Sequence, residues 1–584
     1  MTWLRPARRP HDNGPGQHFR AAFLAACEFN VSDASEIGHR WAEWAITDGG
    51  AAEGDPDGIQ QAAEAYWFLV RQNAEEMDRR HSAAEQRRLA AAGQGTAAAA
   101  GLWLSLAGRL EEAVIAVELA RAVLLSQAVD DAPDDVIARL QRAGARELLA
   151  RYQEARQTYR TIERRAYLRD PNSAASSTGS SVLVPVQEAW SRLQQVRFDV
   201  LDRIGRSDLP SISSFSQIRS SAGPSTLVYV AATPDRGYAL VVRPRKGPTM
   251  VDLPELTSSS LRTANADLRA LTARNGYLNR SGWDALLNWL GRAVMAPLLD
   301  TLGPDSDVVL IPLGGLSLLP LHAAVIGSPP DGDGTHAGDQ IALRYAPNAR
   351  MLGRPDPLPR GAVLAVDSTP VPGLPYLPWA AVEVDQVKER YGKHCVRVTD
   401  PLPEDLSHLM RTADVWHLAC HGVADEVDPL RSRLLLSGGE LFLSDIIGRT
   451  ADRHRLAILS ACQSAISDQD RLDEAVGFPG ALLASGVTGV IATQWVADDA
   501  AALFLTLRFH ARWQSGQDPW RALAEAQHWL RNADHVALLE MLSPTQAEQY
   551  QIEAGVTERL RPLWLTQRPF THPYYWAPFT YTGS

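Results

Sequence analysis

Between about residues 17 and 168 the apolar positions recur every three or four residues, in a background of Ala, Leu, Glu, Arg and Gln. That spacing, in good helix formers, predicts helix after helix. In "GRLEEAVIAVELARAVLL", Leu110, Ala113, Val114, Val117 and Leu124 fall on one helical stripe. The pattern then breaks at "DPNSAASSTGSS", a Ser-rich stretch from Asp170 too polar to pack a core. After one more helical segment, "VQEAWSRLQQVRFDVLDRI", the texture changes. "TLVYVAATPDRGYALVVRP" predicts a β-hairpin turning at Pro234-Asp235-Arg236-Gly237. Beyond residue 300, short apolar runs begin at Val308, Val363, Val415, Leu456 and Val490. They hardly alternate, as expected of parallel strands covered on both faces. Helical segments such as "WAAVEVDQVKERY" and "PEDLSHLMR" lie between several of them, which predicts helix–sheet–helix layers. A ligand site is then expected beyond the carboxyl ends of the strands.

The Gly-x-x-Glu-Glu-Ala opening at Gly108 resembles the second half of a tetratricopeptide unit, and "ARYQEARQTYRTIERRA" echoes it more weakly. Repeats of that kind stack into solenoids, so residues 1–168 are read as a degenerate tetratricopeptide-like helical region. A plain helical bundle is the other reading.

At 584 residues the chain exceeds one core, and two to four domains are expected. Its 57 basic against 68 acidic residues, a net charge of −11, attract neither nucleic acid nor an anionic membrane. "LAAC" at Leu24–Cys27 looks like a lipoprotein cleavage box. The apolar run before it has only about six residues, however, short of the roughly seven to fifteen of a signal core. No stretch approaches the ~18 uninterrupted apolar residues of a membrane span. The four cysteines (Cys27, Cys395, Cys420, Cys462) show neither a disulfide framework nor paired zinc-ligand spacing. A reducing, cytoplasmic setting is expected, with no cofactor and no metal.

Two runs carry candidate chemistry. "VWHLACHG" ends at His421-Gly422, and "LAILSACQSA" contains Cys462. A shared metal site is disfavoured: along one strand His417 and His421 fall on one face and Cys420 on the other. Cys395, Cys420 and His417 read as core residues. His421 and Cys462 differ, because each sits where an apolar strand meets small, flexible residues. Their order, His before Cys by 41 residues (462 less 421), suits a caspase-type dyad.

These runs together resemble the CHAT family, caspase-like domains found with tetratricopeptide repeats. So do "VVLIPLGGLSLLPLHAA", "GFPGALLASGVTGVIATQWVADDAAALFLTLRFHARWQSG" with its Trp495-Val496-Ala497-Asp498, and the closing "HPYYWAPFTYTG". The resemblance implies an α+α/β multidomain chain: the helical region 1–168, a Ser-rich linker at 169–184, and a caspase-like three-layer α/β sandwich at 185–584. The last divides into a non-catalytic half, 185–350, and a catalytic half, 351–584. It implies a cysteine endopeptidase with Cys462 as nucleophile, His421 as general base and acid, and the backbone N–H groups of Gly422 and Cys462 as oxyanion hole. Ser460-Ala461-Cys462-Gln463-Ser464 departs from the animal caspase box Gln-Ala-Cys-Arg-Gly, which argues against aspartate specificity. Asp468, Asp470, Asp473 and Glu474 follow the cysteine and suit a basic substrate residue; a solvated loop is the plainer reading. Asp498 and Asp499 suit helix capping. The expected partners are a protein or peptide substrate and a regulatory protein bound to the helical region. A catalytically silent CHAT scaffold is the alternative, and another hydrolase or acyltransferase using the same dyad a third.

Overall fold

The computed structural model describes residues 15–28, 34–79, 95–119, 140–141, 143–169, 214–273, 279–304, 306–327, 335–352, 361–367, 377–423, 432–442, 445, 456–460, 478–484, 487–556 and 561–584, with short pieces between 188 and 200. The chain is mostly helical and is organised around one large mixed sheet.

Among the described residues five helices come first: α1 (Pro15–Glu28), α2 (Ala34–Ile46), α3 (Pro56–Arg79), α4 (Thr96–Leu106) and α5 (Leu110–Leu119). They pack in chain order, each on the next. This serial packing does not establish the expected tetratricopeptide repeat. Helix α6 (Arg146–Arg169) and the short α7 (Phe215–Ser221) follow. The Ser-rich 170–184 stretch lies outside the described residues.

The sheet has 11 strands. In chain order they are β1 (Thr226–Ala232), β2 (Gly237–Val242), β3 (Thr249–Leu253), β4 (Asp307–Pro312), β5 (Ala342–Tyr345), β6 (Val363–Asp367), β7 (Cys395–Thr399) and β8 (Val415–Ala419). A separate three-stranded sheet then holds β9 (His421–Val423), β10 (Arg433–Leu436) and β11 (Gly439–Phe442). The large sheet resumes with β12 (Leu456–Leu459), β13 (Gly489–Thr493) and β14 (Phe579–Gly583). Its spatial order is β3-β2-β1-β4-β5-β14-β13-β12-β8-β6-β7. The predicted hairpin is β1–β2, closed by Thr233 N–H donating to Arg236 O at 2.8 Å. All five apolar runs are strands. β14 joins the two halves: it lies antiparallel to β13 and parallel to β5, so the half at 185–350 and the half at 351–584 share one sheet.

Side chains alternate across the strands and so feed opposite cores. Val228, Val230, Val415, Ala419, Leu456 and Ile458 face one layer. That layer is built from α8 (Ser258–Thr272), α9 (Arg280–Leu290), α10 (Ala296–Leu302), α11 (Pro378–Tyr391), α14 (Asp499–Gln514) and α15 (Pro519–Asn532). The other face has two covers. Trp416, Leu418, Cys420, Ala457 and Leu459 pack under α12 (Pro403–Met410) and α13 (Phe478–Ala484). Leu227, Tyr229, Ala231, Tyr238 and Leu240 pack under α3, α4, α5 and α7. Helices from the 1–168 region therefore form part of a layer of the sandwich. Among the described residues no helix is long and apolar enough to cross a membrane.

Candidate active site

β8 lies between β6 and β12, and all three are parallel. Val415 pairs with Leu456 and Leu418 with Leu459, and Ser460 N–H donates to Leu418 O at 3.2 Å beyond the last pair. The carboxyl ends of these strands therefore stand level. At that level β6 contributes Asp367, opposite Ala419.

His421 is placed differently from the expectation of one straight strand. β8 ends at Ala419, the chain bends at Cys420, and His421 opens β9 in the smaller sheet, opposite Leu435. His421 and His417 therefore do not share a sheet face. The bend turns the chain off the sheet once Cys420 has packed beside Trp416 and Leu418. His421 is buried, at 5% exposure, and Gly422 stands opposite Leu434. Cys462, Asp468, Asp470, Asp473 and Glu474 lie outside the described residues. Among the described residues no cluster of His, Cys, Asp or Glu could hold a metal ion.

His417 has its own polar environment beneath the sheet. Its Nε2 lies 2.9 Å from Glu383 Oε1 on α11, and its Nδ1 lies 3.2 Å from His510 Nε2 on α14. His510 Nδ1 is 3.0 Å from the Tyr391 hydroxyl, and Thr506 Oγ1 donates to Glu383 Oε1 at 2.8 Å. Two protons run along this chain, Tyr391 O–H to His510 Nδ1 and His510 Nε2–H to His417 Nδ1, while His417 Nε2 stands beside Glu383 without the alignment of a hydrogen bond. Burial, then the neighbouring His417 and Arg390, hold His510 well below the ordinary imidazole range. His417 is thus a bonded core histidine, as expected.

Asp498 caps α14, accepting from Ala501 N–H at 2.9 Å. Asp499 caps a different helix. α11 begins with Pro378 after Leu377, which supplies no capping side chain, and Asp499 accepts the Trp379 N–H at 2.7 Å instead. Burial pushes the Asp499 carboxyl up to about 7, and Glu383, Asp498 and Glu553 push the same way.

Asp367 was not singled out from sequence, although "VLAVD" closes an apolar run with a carboxylate. Burial raises its carboxyl, against the pull of Arg397, whose guanidinium lies 3.4 Å away. Thr399 Oγ1 donates to it at 3.2 Å, and Asp400, at φ 48°, bonds back to the Asp367 carbonyl. These contacts tie the ends of β6 and β7 together beside the end of β8.

A family model described as the CHAT domain matches residues 284–584. The chain belongs to the CHAT family. The CHAT match takes in β4 to β14 and leaves the first hairpin, β3 and the preceding helices outside it. No curated protein matches the chain. Two crystal structures of the Saccharomyces cerevisiae separase–securin complex are similar to it over 88% of its length, at 10% identity and TM-scores of 0.40 and 0.38. The chain spans 48% of the separase-complex chain that it matches.

Proposed function

We propose that this CHAT protein is a cysteine endopeptidase of caspase-like fold, with Cys462 as nucleophile and His421 as general base and acid. One observation carries the reading. Partners on β8 and β12 are offset by 41 residues (456 less 415), and His421 and Cys462 are separated by the same 41. In the chain His421 comes two residues after the end of β8 and Cys462 three after the end of β12, so both follow the carboxyl ends of neighbouring parallel strands, where such sheets bind ligands.

The chemistry follows from the groups. A free thiol has a pKa of about 8.5, so only a few per cent is thiolate at neutral pH. An imidazole within reach takes the thiol proton and later returns it to the leaving amine. The thiolate attacks the peptide carbonyl, forming a C–S bond, and the C–N bond breaks as the amine leaves protonated. Water then hydrolyses the thioester. The N–H groups of Gly422 and Cys462 are assigned to the oxyanion, where losing one donor costs about 10²–10³ in rate. Asp468, Asp470, Asp473 and Glu474 favour a substrate with Arg or Lys before the cut. The helical region is assigned the binding of a regulatory protein.

The test is a thiol-directed activity probe followed by cleavage of a peptide library. The reading requires labelling at Cys462, lost in Cys462→Ala and reduced in His421→Ala, and peptide cleavage by the wild type. A wild-type chain inert to both, in the presence of its partners, is a scaffold. Labelling with acyl transfer but no peptide hydrolysis moves the dyad to another reaction class.

A further inference from the structure

The first hairpin carries two tyrosines whose hydroxyls leave the sheet and enter the helical layer. Tyr238 O–H donates to Ala98 O on α4 at 2.8 Å, and Tyr229 O–H donates to Glu118 Oε2 on α5 at 2.8 Å. The approach is close: a Cβ on Gly101 would stand 2.1 Å from the Tyr238 hydroxyl, so α4 lies this near only because residue 101 has no side chain. Glu118 is 3% exposed. Its carboxylate also accepts from Ala349 N–H at 3.1 Å and from Arg350 N–H at 3.0 Å. One buried carboxylate thus joins a helix, a strand and a turn. Burying a carboxylate costs several kcal/mol unless donors meet it, and here donors from both the sheet and the turn do.

The turn matters for where it leads. Asn348 Oδ1 accepts from Met351 N–H at 3.0 Å and fixes the turn, and Ala349 and Leu352 belong to the same core as Tyr229, Val114 and Val117. Residues 346–352 follow β5 and precede β6, the strand beside β8. Displacement of α5 from the sheet breaks the two bonds by which Glu118 holds the turn at 349–351, which comes between β5 and β6 in the chain.

We propose that Glu118 is a coupling residue through which movement of the helical layer reaches β6, its neighbour β8 and the bend between β8 and His421. Two states are implied: docked, with Glu118 holding the 349–351 turn, and shifted, with α4 and α5 still covering the sheet but the Glu118 bonds to the turn broken. A ligand of the helical region shifts this balance only by its differential affinity for the two states. The inference rests on the peptidase reading only for what the movement would regulate.

Amide hydrogen exchange on the full chain tests it. Glu118→Ala removes the joint, Gly101→Ala forces the same interface apart independently, and Glu118→Gln keeps an acceptor and guards against a misfolded alanine variant. The expected result is exchange faster by about tenfold in peptides covering 346–352, 363–367 and 415–423, for Glu118→Ala and Gly101→Ala, with α15 unchanged and Glu118→Gln intermediate. Faster exchange confined to α5 and 346–352, with 363–367 and 415–423 as in wild type, makes Glu118 a local staple and overturns the proposal. The same samples are treated with a thiol probe. An unlabelled Cys462 with coupled exchange refutes the peptidase reading and leaves the joint standing. A labelled Cys462 with uncoupled exchange refutes the joint alone.

Discussion

Cys420 and His421 are adjacent and both buried, but one closes the packing of β8 and the other opens β9, which sets what their replacement should do. Cys420 is fully buried against Trp416 and Leu418, a small apolar side chain in a filled core. Cys420→Ala should cost about 1–2 kcal/mol of stability and leave turnover per folded molecule within about twofold. His421 opens β9 just past the bend. His421→Ala should lower kcat/KM by at least ~10² per folded molecule, and Cys462→Ala should abolish turnover. Thermal melts alongside rate measurements on the three variants separate these effects. A folded Cys420→Ala chain as inactive as Cys462→Ala would make Cys420 a rival nucleophile. The bend itself was not legible: period-two alternation in "VWHLACHG" contains no signal for a strand leaving its sheet after Ala419. The bonded, buried state of His417 was legible, but its partner His510 was not, because 93 residues separate them and only the packing of α14 on α11 and β8 joins them.

The α11–α14 interface buries more charge than any sequence pattern announced, and its titration should be measurable. Asp499 keeps its proton up to about pH 7 in the folded chain, against an ordinary value near 3.8. Between those values the native state binds the extra proton, so this group's contribution to stability falls as pH rises through the window and is level above it. His510 works with the opposite sign: its depressed imidazole makes the fold lose stability as pH drops below about 6.5. Asp499→Asn leaves an acceptor for the Trp379 N–H and removes only the carboxyl titration. Its stability relative to wild type should therefore rise from near zero at pH 4 to a gain on the order of 4 kcal/mol at pH 8. Denaturant titrations at pH 4.5, 6 and 8 check it, and a gain that does not grow with pH would place the carboxyl in its ordinary range. In the same interface His510→Phe leaves His417 Nδ1 without its donor, at about 1–3 kcal/mol. His417→Leu leaves the Glu383 carboxylate without its imidazole and should cost more, about 3–5 kcal/mol. The reverse ranking would mean that Glu383 is not held by His417.

At the scale of the whole molecule, the strands announced themselves because parallel strands buried on both faces read as continuous apolar runs. The order in which they join did not. Nothing in "PFTYTG" says that the last strand inserts between β5 and β13, since that pairing closes over more than 200 residues of chain. The role of the first helices was half visible. Glu118 lies four residues after Val114, on the apolar stripe of α5, and a carboxylate in that position signals a buried partner more than a solvated face. The Ser-rich stretch suggested two bodies joined by a tether, yet α3, α4 and α5 share a core with Leu227, Tyr229, Ala231, Tyr238, Leu240, Val309 and Ile311. A chain lacking residues 1–168 would present those strand side chains to water. At about 1.5–3 kcal/mol for each large apolar side chain, the loss is as large as the ~5–15 kcal/mol by which a domain is stable. The truncated chain should be insoluble or melt without cooperativity, whereas a chain lacking only residues 1–50 keeps α3, α4 and α5 over the sheet and should remain folded. Circular dichroism melts and sedimentation of both truncations decide the matter. A 169–584 chain that is monomeric and melts cooperatively near the intact protein would show the helices to be an appended domain and not a layer of the sandwich.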